Sequence, residues 1–321
     1  MNDGSEPMPS RAQPRGQGRI LVVRGGALGD FILTLPVLAA LKRSFPDAHL
    51  EVLGYPKPAS LALAAGLADA VRPLESRALA GFFAGQGALS PEWSAYFAGF
   101  HVVLSFLYDP DRLFRENVGR VSRAQYIAGP HRPNEGAASH ATEQLMVPLQ
   151  RFAIFDADPI PRLGMAGLPA AAGSGTRVAV HVGSGSETKN WPEPLWAELL
   201  ATWVGSTDWR IVLVGGEAEV ERVERLRRAL PADRCEVHLN RPLPELAREL
   251  AGCAFFVGHD SGISHLAAAA GTRGLVLWGP TNETVWRPLS DRFLTLRHAG
   301  GLPNLPVAVV DARVRECVGV A

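Results

Sequence analysis

Short apolar runs recur along the chain, and most are followed by a stretch whose apolar positions have helical spacing. A continuous apolar run bounded by turn residues indicates a strand buried on both faces, and helical spacing indicates a helix with one buried face. The runs predict strands at residues 19–24, 49–53, 71–73, 100–106, 126–128, 177–182, 209–214, 235–238, 254–257 and 274–277. The intervening pattern predicts helices at residues 31–44, 59–70, 140–152, 193–204, 217–230, 243–250, 261–270 and 307–320.

The alternation of strands and helices is interrupted once. Residues 157–176 are rich in Pro, Gly and Ala and show little periodicity, and the same alternation then restarts. We therefore predict an N-terminal domain at residues 19–160, a linker at 161–176 and a C-terminal domain at 177–321. Alternating elements favour parallel sheets covered by helices, so the predicted fold is α/β with two Rossmann-like domains whose sheets face each other across a cleft.

Composition agrees with two folded domains. The chain has 321 residues, of which 47% are hydrophobic and 20% charged. Lys plus Arg and Asp plus Glu both number 32, and each half is also balanced, so the sequence predicts no nucleic-acid partner. Three scattered cysteines fit a reducing compartment. Residues 1–18 are polar, resemble no secretion signal and are predicted to be a disordered tail, so we expect a cytoplasmic protein.

The first loop with possible chemistry joins the first strand to the first helix. Gly26 and Gly29 fit part of a dinucleotide fingerprint, but Arg24 takes the place of its first glycine. A tight turn that needs glycine accounts for the loop equally well. Asp30 lies at the predicted helix start, where a carboxylate could cap the helix or act as a general base at the mouth of a cleft.

The second loop, HVGSGSETKNWP, follows the first strand of the second half. The hydroxyls of Ser184 and Ser186 and the charge of Lys189, one of only three lysines, could bind phosphate oxygens. The G-K-[ST] ending of a Walker A loop is missing. A solvated loop lysine is the alternative interpretation.

Two further loops follow later strands. Asp260 and Ser261 open a predicted helix whose free N–H groups could bind phosphate, and either side chain could instead be only a cap. His265 in the first turn could be structural, and its neighbours lack a recognised metal-ligand spacing. Thr281 follows the last predicted strand, either within reach of a ligand or in a plain turn.

A cluster of arginines in the first half is the remaining feature. Residues 112–132 carry five arginines and Glu116. Such a run is usually a solvated face, but arginine also suits bidentate phosphate contacts, so an anionic acceptor or a lipid surface could bind here. The arginines considered for acceptor binding are Arg112, Arg115, Arg120 and Arg123.

Three segments together resemble a known family. They are RGGALGDFILTLPVLAALKRSFPDAHLEVLG at Arg24–Gly54, HVGSGSETKNWP at His181–Pro192 and FVGHDSGISHLAAAAGTRGLVLWGPTNETVW at Phe256–Trp286. In this order and at these separations the chain resembles the ADP-heptose:lipopolysaccharide heptosyltransferases, glycosyltransferase family 9, from about Ile20 to Arg287. The resemblance implies the GT-B fold, with an acceptor domain first and a nucleotide-sugar donor domain second.

The resemblance also implies an activity and site roles. It implies inverting transfer of a heptose from ADP-heptose to the lipopolysaccharide core, with no metal cofactor and with Asp30 as the base. The donor would be held by residues of the second domain. These are Ser184, Ser186, Lys189, Asp260, Ser261, Gly262, Ile263, His265 and Thr281, with Glu217 or Glu219 reaching the ribose.

The expected partners are the nucleotide sugar and a glycan or lipid-linked glycan acceptor, with peripheral contact at the cytoplasmic face of the inner membrane. Other interpretations stay open at this point. A GT-B-type epimerase or hydrolase would use the same fold without an acceptor, and the sugar nucleotide could be another one. An NAD(P)-dependent protein is disfavoured by Arg24 in the fingerprint.

Overall fold

The computed structural model describes residues 18–85, 87–164 and 176–319. The predicted tail lies outside these residues except for Gly18, and so does most of the predicted linker. The position of the domain boundary therefore stays a prediction. No helix in the described ranges is long and apolar enough to cross a membrane.

The N-terminal half is built on a five-stranded parallel sheet in the order β3-β2-β1-β4-β5. Its strands are β1 Arg19–Arg24, β2 His49–Gly54, β3 Ala70–Pro73, β4 Val102–Ser105 and β5 Gln125–Ala128. Its helices are α1 Leu28–Ile32, α2 Leu35–Ser44, α3 Pro56–Ala64, α4 Pro91–Ala98, α5 Leu113–Val121 and α6 Ala141–Met146. The strand order reverses between β1 and β4, which places a ligand crevice at the carboxyl ends of these strands.

The C-terminal half repeats the plan with six parallel strands in the order β11-β10-β9-β6-β7-β8. Its strands are β6 Arg177–His181, β7 Arg210–Gly215, β8 Cys235–Leu239, β9 Phe255–His259, β10 Gly274–Leu277 and β11 Phe293–Leu296. Its helices are α7 Glu193–Ser206, α8 Val220–Arg228, α9 Leu243–Ala251, α10 Gly262–Ala269, α11 Glu283–Trp286 and α12 Val307–Val318. Here the order reverses between β6 and β9. The prediction of two α/β domains with parallel sheets is confirmed.

The predicted helix at residues 31–44 is two helices. Helix α1 ends at Ile32, and α2 begins at Leu35 after a turn at Leu33 and Thr34. Pro36, at the second position of α2, has no N–H group to donate to the carbonyl of Ile32, so one helix cannot continue through it. Because of this break, the direction of α1, which carries Asp30, is not fixed by the direction of α2.

One apolar core joins the two halves. It contains Ile20 and Val22 of β1 together with Val212 and Val214 of β7, and the outer faces of the two sheets have cores of their own. Helix α1 packs against α10 through two glycines. A Cβ on Gly262 would lie 3.0 Å from the backbone N of Gly29, so glycine is needed where the two helix starts meet.

Candidate active site

The carboxyl ends of both sheets open into one cleft of about 330 Å³ between the halves. The loops after β1, β6, β9 and β10 supply most of its wall, as the positions of the strand-order reversals require. The N-terminal half contributes Ala27, Gly29, Asp30, Leu33, Arg132 and Glu135. The C-terminal half contributes Ser184, Lys189, Asp260, Ser261, Gly262, His265, Thr281 and Trp286.

Asp30 is the third residue of α1, and its side chain is 31% exposed in the cleft. Its Oδ2 accepts a hydrogen bond from the backbone N–H of Ala27 at 2.9 Å. Gly26 has φ +97°, and a Cβ there would lie 2.7 Å from the same oxygen. Oδ2 thus caps α1, while Oδ1 accepts no hydrogen bond from the described residues and lies 3.5 Å from Arg24 Nη2, so capping and proton transfer are compatible.

Arg24 contacts both the Asp30 carboxylate and the backbone of α1. It is 2% exposed and places Nη2 3.5 Å from the Asp30 Oδ1. Nη2 and Nε also donate to the Asp30 carbonyl at 3.1 and 3.3 Å, and Nη1 donates to the His131 carbonyl at 2.9 Å. The planar fork of a guanidinium can make all these bonds at once, which a lysine ammonium cannot.

We expect Arg24→Met to lower kcat by roughly ten- to a hundredfold, because a misplaced base loses its alignment with the acceptor. The donor KM should stay unchanged, since Arg24 does not line the donor side of the cleft. Arg24→Lys should recover part of the loss. Steady-state kinetics measures both constants, and an unchanged kcat in a folded Arg24→Met protein would show that Arg24 does not position Asp30.

Lys189, Asp260 and Thr281 form a charged cluster on the opposite wall. The Lys189 ammonium donates to Asp260 Oδ2 at 2.8 Å, and the Thr281 hydroxyl donates to the same oxygen at 2.8 Å. Asp260 is 7% exposed, whereas the Lys189 side chain is 28% exposed and reaches the cleft. The three residues follow β6, β9 and β10, neighbours in the sheet, which explains how sequence positions so far apart meet.

The first turn of α10 lies between these two walls. Ser261 caps it by accepting from the backbone N–H of Ser264 at 3.4 Å. The first N–H groups of a helix have no partner inside it and carry a partial positive charge, which suits an anion. Ser184 lines the same cleft, but its hydroxyl is already directed to the Ser186 carbonyl or the Asn190 side chain.

His259 fixes the loop that carries Lys189. Its Nε2 accepts from the backbone N–H of Trp191 at 2.8 Å, so its Nδ1 carries the proton and donates to the Gly183 carbonyl at 3.2 Å. Both ring nitrogens of His259 are thus bonded to backbone groups, as a neutral imidazole allows. Burial lowers the pKa of His259 to about 3. The loop is thereby held against β9.

Burial also lowers the pKa of His181 and of His265 to about 4, and it lowers the pKa of His140. In the unfolded chain these imidazoles titrate near 6.5. Between the two values the unfolded state binds more protons, so stability is full above pH ~6.5 and falls as the pH drops toward 4.

We therefore expect urea-unfolding midpoints to fall between pH 7 and pH 5. The limiting slope is about 1.4 kcal/mol per pH unit for each buried histidine. Histidine-to-glutamine substitution at His259 should reduce the slope even where it lowers stability. A midpoint that is constant from pH 7 to pH 5 would contradict the neutral, buried state of these side chains.

Some residues predicted from sequence lie away from the cleft. Ser186 points to Thr188 and does not line it. Glu217 is exposed at the start of a short 3-10 helix, whereas Glu219 is buried against Gly183 and accepts from the Gly216 N–H at 2.8 Å. Four arginines are exposed on or beside α5 and line neither the cleft nor its neighbours. They are Arg112, Arg115, Arg120 and Arg123.

Arg132, Glu135 and Trp286 line the cleft although sequence reasoning did not select them as site residues. Two hydrogen bonds join the halves beside these residues. Asn282 Nδ2 donates to the Glu135 carbonyl at 2.9 Å, and His140 Nε2 lies 2.8 Å from the Arg287 carbonyl. In the sequence, Arg132 ends the arginine run at 112–132 and Trp286 ends the third segment of the family resemblance.

A pocket of about 280 Å³ adjoins the cleft on the far side of α10 and is named the adjoining pocket. Ile263 is part of its wall, and Ala27 lines both spaces. The remaining wall comes from both halves. It consists of Gly26, Leu28, Tyr55, Lys57, Pro58, Gly215, Gly216, Asn240, Arg241, Leu243 and Leu246. A mostly apolar space beside a helix N-terminus is an arrangement that suits a nucleotide.

Among the described residues, no group of three or more His, Cys, Asp or Glu side chains could hold a metal ion. The expectation of a reaction without a metal cofactor therefore rests on the family resemblance.

Comparisons with known proteins agree with this geometry. The model of glycosyltransferase family 9 (heptosyltransferase) matches residues 163–305. Lipopolysaccharide heptosyltransferase 1 of Pseudomonas aeruginosa is 28% identical over 300 residues, covering 82% of this chain and 79% of that protein. The Salmonella typhimurium protein of the same name is 41% identical over 97 residues, which cover 30% of each.

Solved structures show the same fold. A family 9 glycosyltransferase from Veillonella parvula matches with a TM-score of 0.78 at 16% identity, covering 94% of this chain and 97% of that one. E. coli heptosyltransferase WaaC with ADP matches with a TM-score of 0.74 at 22% identity, covering 93% and 99%. The predicted GT-B fold is confirmed. The family model over residues 163–305 and the relatives named heptosyltransferases support a glycosyltransferase of family 9.

Proposed function

We propose that this chain transfers a heptose from ADP-heptose to a lipopolysaccharide inner-core acceptor, with inversion at the anomeric carbon. One observation carries the proposal. Asp30 from the N-terminal half shares a cleft with Lys189, Asp260 and the first turn of α10 from the C-terminal half. The proposed base would thus face the proposed diphosphate site across the space where a sugar would lie.

The donor is proposed to span the cleft and the adjoining pocket. Gly262 lines the cleft and its neighbour Ile263 lines the adjoining pocket, so the first turn of α10 borders both. The adenosine would pack on the apolar wall near Leu243 and Ile263, and the diphosphate would lie over the helix N-terminus. Lys189, already within reach of Asp260, would turn to the phosphate oxygens.

The proposed reaction uses these charges directly. Asp30 removes the proton from an acceptor hydroxyl as that oxygen attacks the anomeric carbon, from the face opposite the diphosphate. The sugar acquires oxocarbenium character as its bond to the phosphate oxygen breaks. Lys189 and the N-terminus of α10 stabilise the negative charge that develops on departing ADP. The buried neutral His265 offers a hydrogen-bonding group without adding charge.

The remaining roles stay predictions. Glu217 or Glu219 contacts the ribose, and of the two only Glu219 packs against the Gly183 loop. The enzyme acts on the cytoplasmic side of the inner membrane, with peripheral contact at the surface that carries the acceptor.

A thermal-shift series with ADP-heptose, UDP-sugars, GDP-sugars and NAD tests the donor. We expect the largest stabilisation with ADP-heptose, since a ligand that binds only the folded state raises its stability. Incubation with the donor alone separates transfer from epimerisation or hydrolysis. Stabilisation by NAD alone, or rapid turnover of the sugar without acceptor, would contradict the proposal.

A further inference from the structure

A third pocket, distinct from the cleft and the adjoining pocket and named the aromatic groove, lies at the carboxyl ends of the strands of the N-terminal sheet. It has a volume of about 510 Å³, and its wall includes the side chains of Tyr55, Phe83, Phe106, Tyr108 and His131. The groove lies beside the Asp30 carboxylate, because Gly26 lines the groove and a Cβ on Gly26 would lie 2.7 Å from Asp30 Oδ2. Tyr55 also lines the adjoining pocket, whereas the side chains of Phe83, Phe106, Tyr108 and His131 have no part in the reaction as derived above.

Two of the rings are exposed, and each contacts one neighbouring ring. Tyr108 is 70% exposed, and its ring lies 4.6 Å from that of His131. Phe83 is 43% exposed and is stacked on the buried Phe114 ring at 5.0 Å, with 24° between the planes. Large exposed aromatic side chains that are grouped around one groove are typical of a binding surface.

The charge of the groove is small. Arg24 and Glu75 are its charged residues, and the Arg24 guanidinium is buried and bonded to the carbonyls of Asp30 and His131. The groove therefore presents aromatic faces with hydroxyl, imidazole and carboxylate groups at their edges. That combination suits a sugar ring, whose C–H face packs on an aromatic face while its hydroxyls bond to polar edges.

We propose that the aromatic groove binds a pyranose ring of the acceptor saccharide, stacked on Tyr108 and Phe83, with the attacking hydroxyl turned toward Asp30. This inference rests on the proposed function and assigns the acceptor to a place different from the arginines of α5. An acyl chain is the less suitable occupant, because it would leave the polar edges of the groove without partners.

Calorimetric titration of the deacylated, heptose-free core oligosaccharide in the presence of ADP tests the groove without requiring turnover. Tyr108→Ala should weaken oligosaccharide binding by roughly tenfold, the loss expected for one stacked ring. Tyr108→Phe keeps the ring and should stay within about threefold of the wild type. Phe155→Ala is the matched control, since Phe155 is 76% exposed and lies outside the groove. ADP affinity should be unchanged in all three variants.

The outcomes separate the groove from the proposed reaction. Oligosaccharide binding that is unaffected by Tyr108→Ala would overturn the groove assignment, even if heptose transfer is observed. A dependence on Tyr108 that appears only with fully acylated lipopolysaccharide would assign the groove to a lipid chain and overturn the saccharide. Failure of the wild type to transfer heptose, with binding still dependent on Tyr108, would count against the proposed reaction and support the groove.

Discussion

Asp30→Asn should lower the rate of heptose transfer by roughly 10²–10⁴-fold, the loss typical of removing a general base. The amide is nearly the same size, and its oxygen can still accept the hydrogen bond from the Ala27 N–H that caps α1. The substitution therefore removes the proton acceptor while preserving the local structure. ADP affinity should change little, because the proposed diphosphate site lies on the opposite half of the protein.

Transfer rates at saturating substrates, combined with ADP titration, measure the two effects separately. Asp47→Asn is the matched control, since Asp47 is exposed and lies outside the cleft. An Asp30→Asn protein that turns over at the wild-type rate would remove Asp30 from the role of base. A parallel loss of ADP affinity would instead indicate that the substitution disturbs the contact between α1 and α10.

Lys189→Met should weaken ADP binding by roughly a hundredfold. A charge-assisted hydrogen bond contributes about 1.5–3 kcal/mol, and the variant also leaves Asp260 facing the diphosphate without its cation. Asp260 is buried and, among the residues that the structure describes, its carboxylate would keep only the Thr281 hydroxyl as a partner, so it would repel the ligand. Removing that carboxylate as well, in Lys189→Met with Asp260→Asn, should recover part of the affinity.

Lys42→Met is the matched control for this effect. Lys42 also pairs with an aspartate, Asp69, at 2.6 Å, but the pair lies outside the cleft. Its loss should affect stability without changing ADP affinity. Calorimetry measures the affinities, and equal ADP binding by the wild type and Lys189→Met would exclude Lys189 from the diphosphate site.

Much of the fold could be predicted because buried parallel strands are continuous apolar runs. The sequence predicts β1 and β10 with their observed bounds. Strand β11 is missed because it is a four-residue edge strand whose residues are largely half-buried or exposed, so its pattern is weak. Helices α4 and α5 are also missed; α5 lies inside the arginine run, where charge obscures the buried positions of Phe114 and Val118.

Residues of the candidate site could be predicted only where they follow closely after a strand. Asp30, Lys189 and Asp260 each follow a strand at a reversal of strand order, so the topology alone brings them together. Arg132 and Trp286 line the same cleft only because the two halves are placed against each other, which no local pattern encodes. The arginines on or beside α5 are the opposite case. Their charge is evident in the sequence, but the sequence does not indicate whether that surface faces the cleft.

The central claim is that this chain moves a heptose across the shared cleft with Asp30 as the base. The most direct measurement is mass spectrometry of heptose-free core acceptor after incubation with ADP-heptose and either the wild-type protein or Asp30→Asn. We predict that the wild type adds one heptosyl unit and releases an equal amount of ADP, and that the variant does so far more slowly. An acceptor mass that is unchanged by the wild type, while the donor is consumed, would contradict the claim.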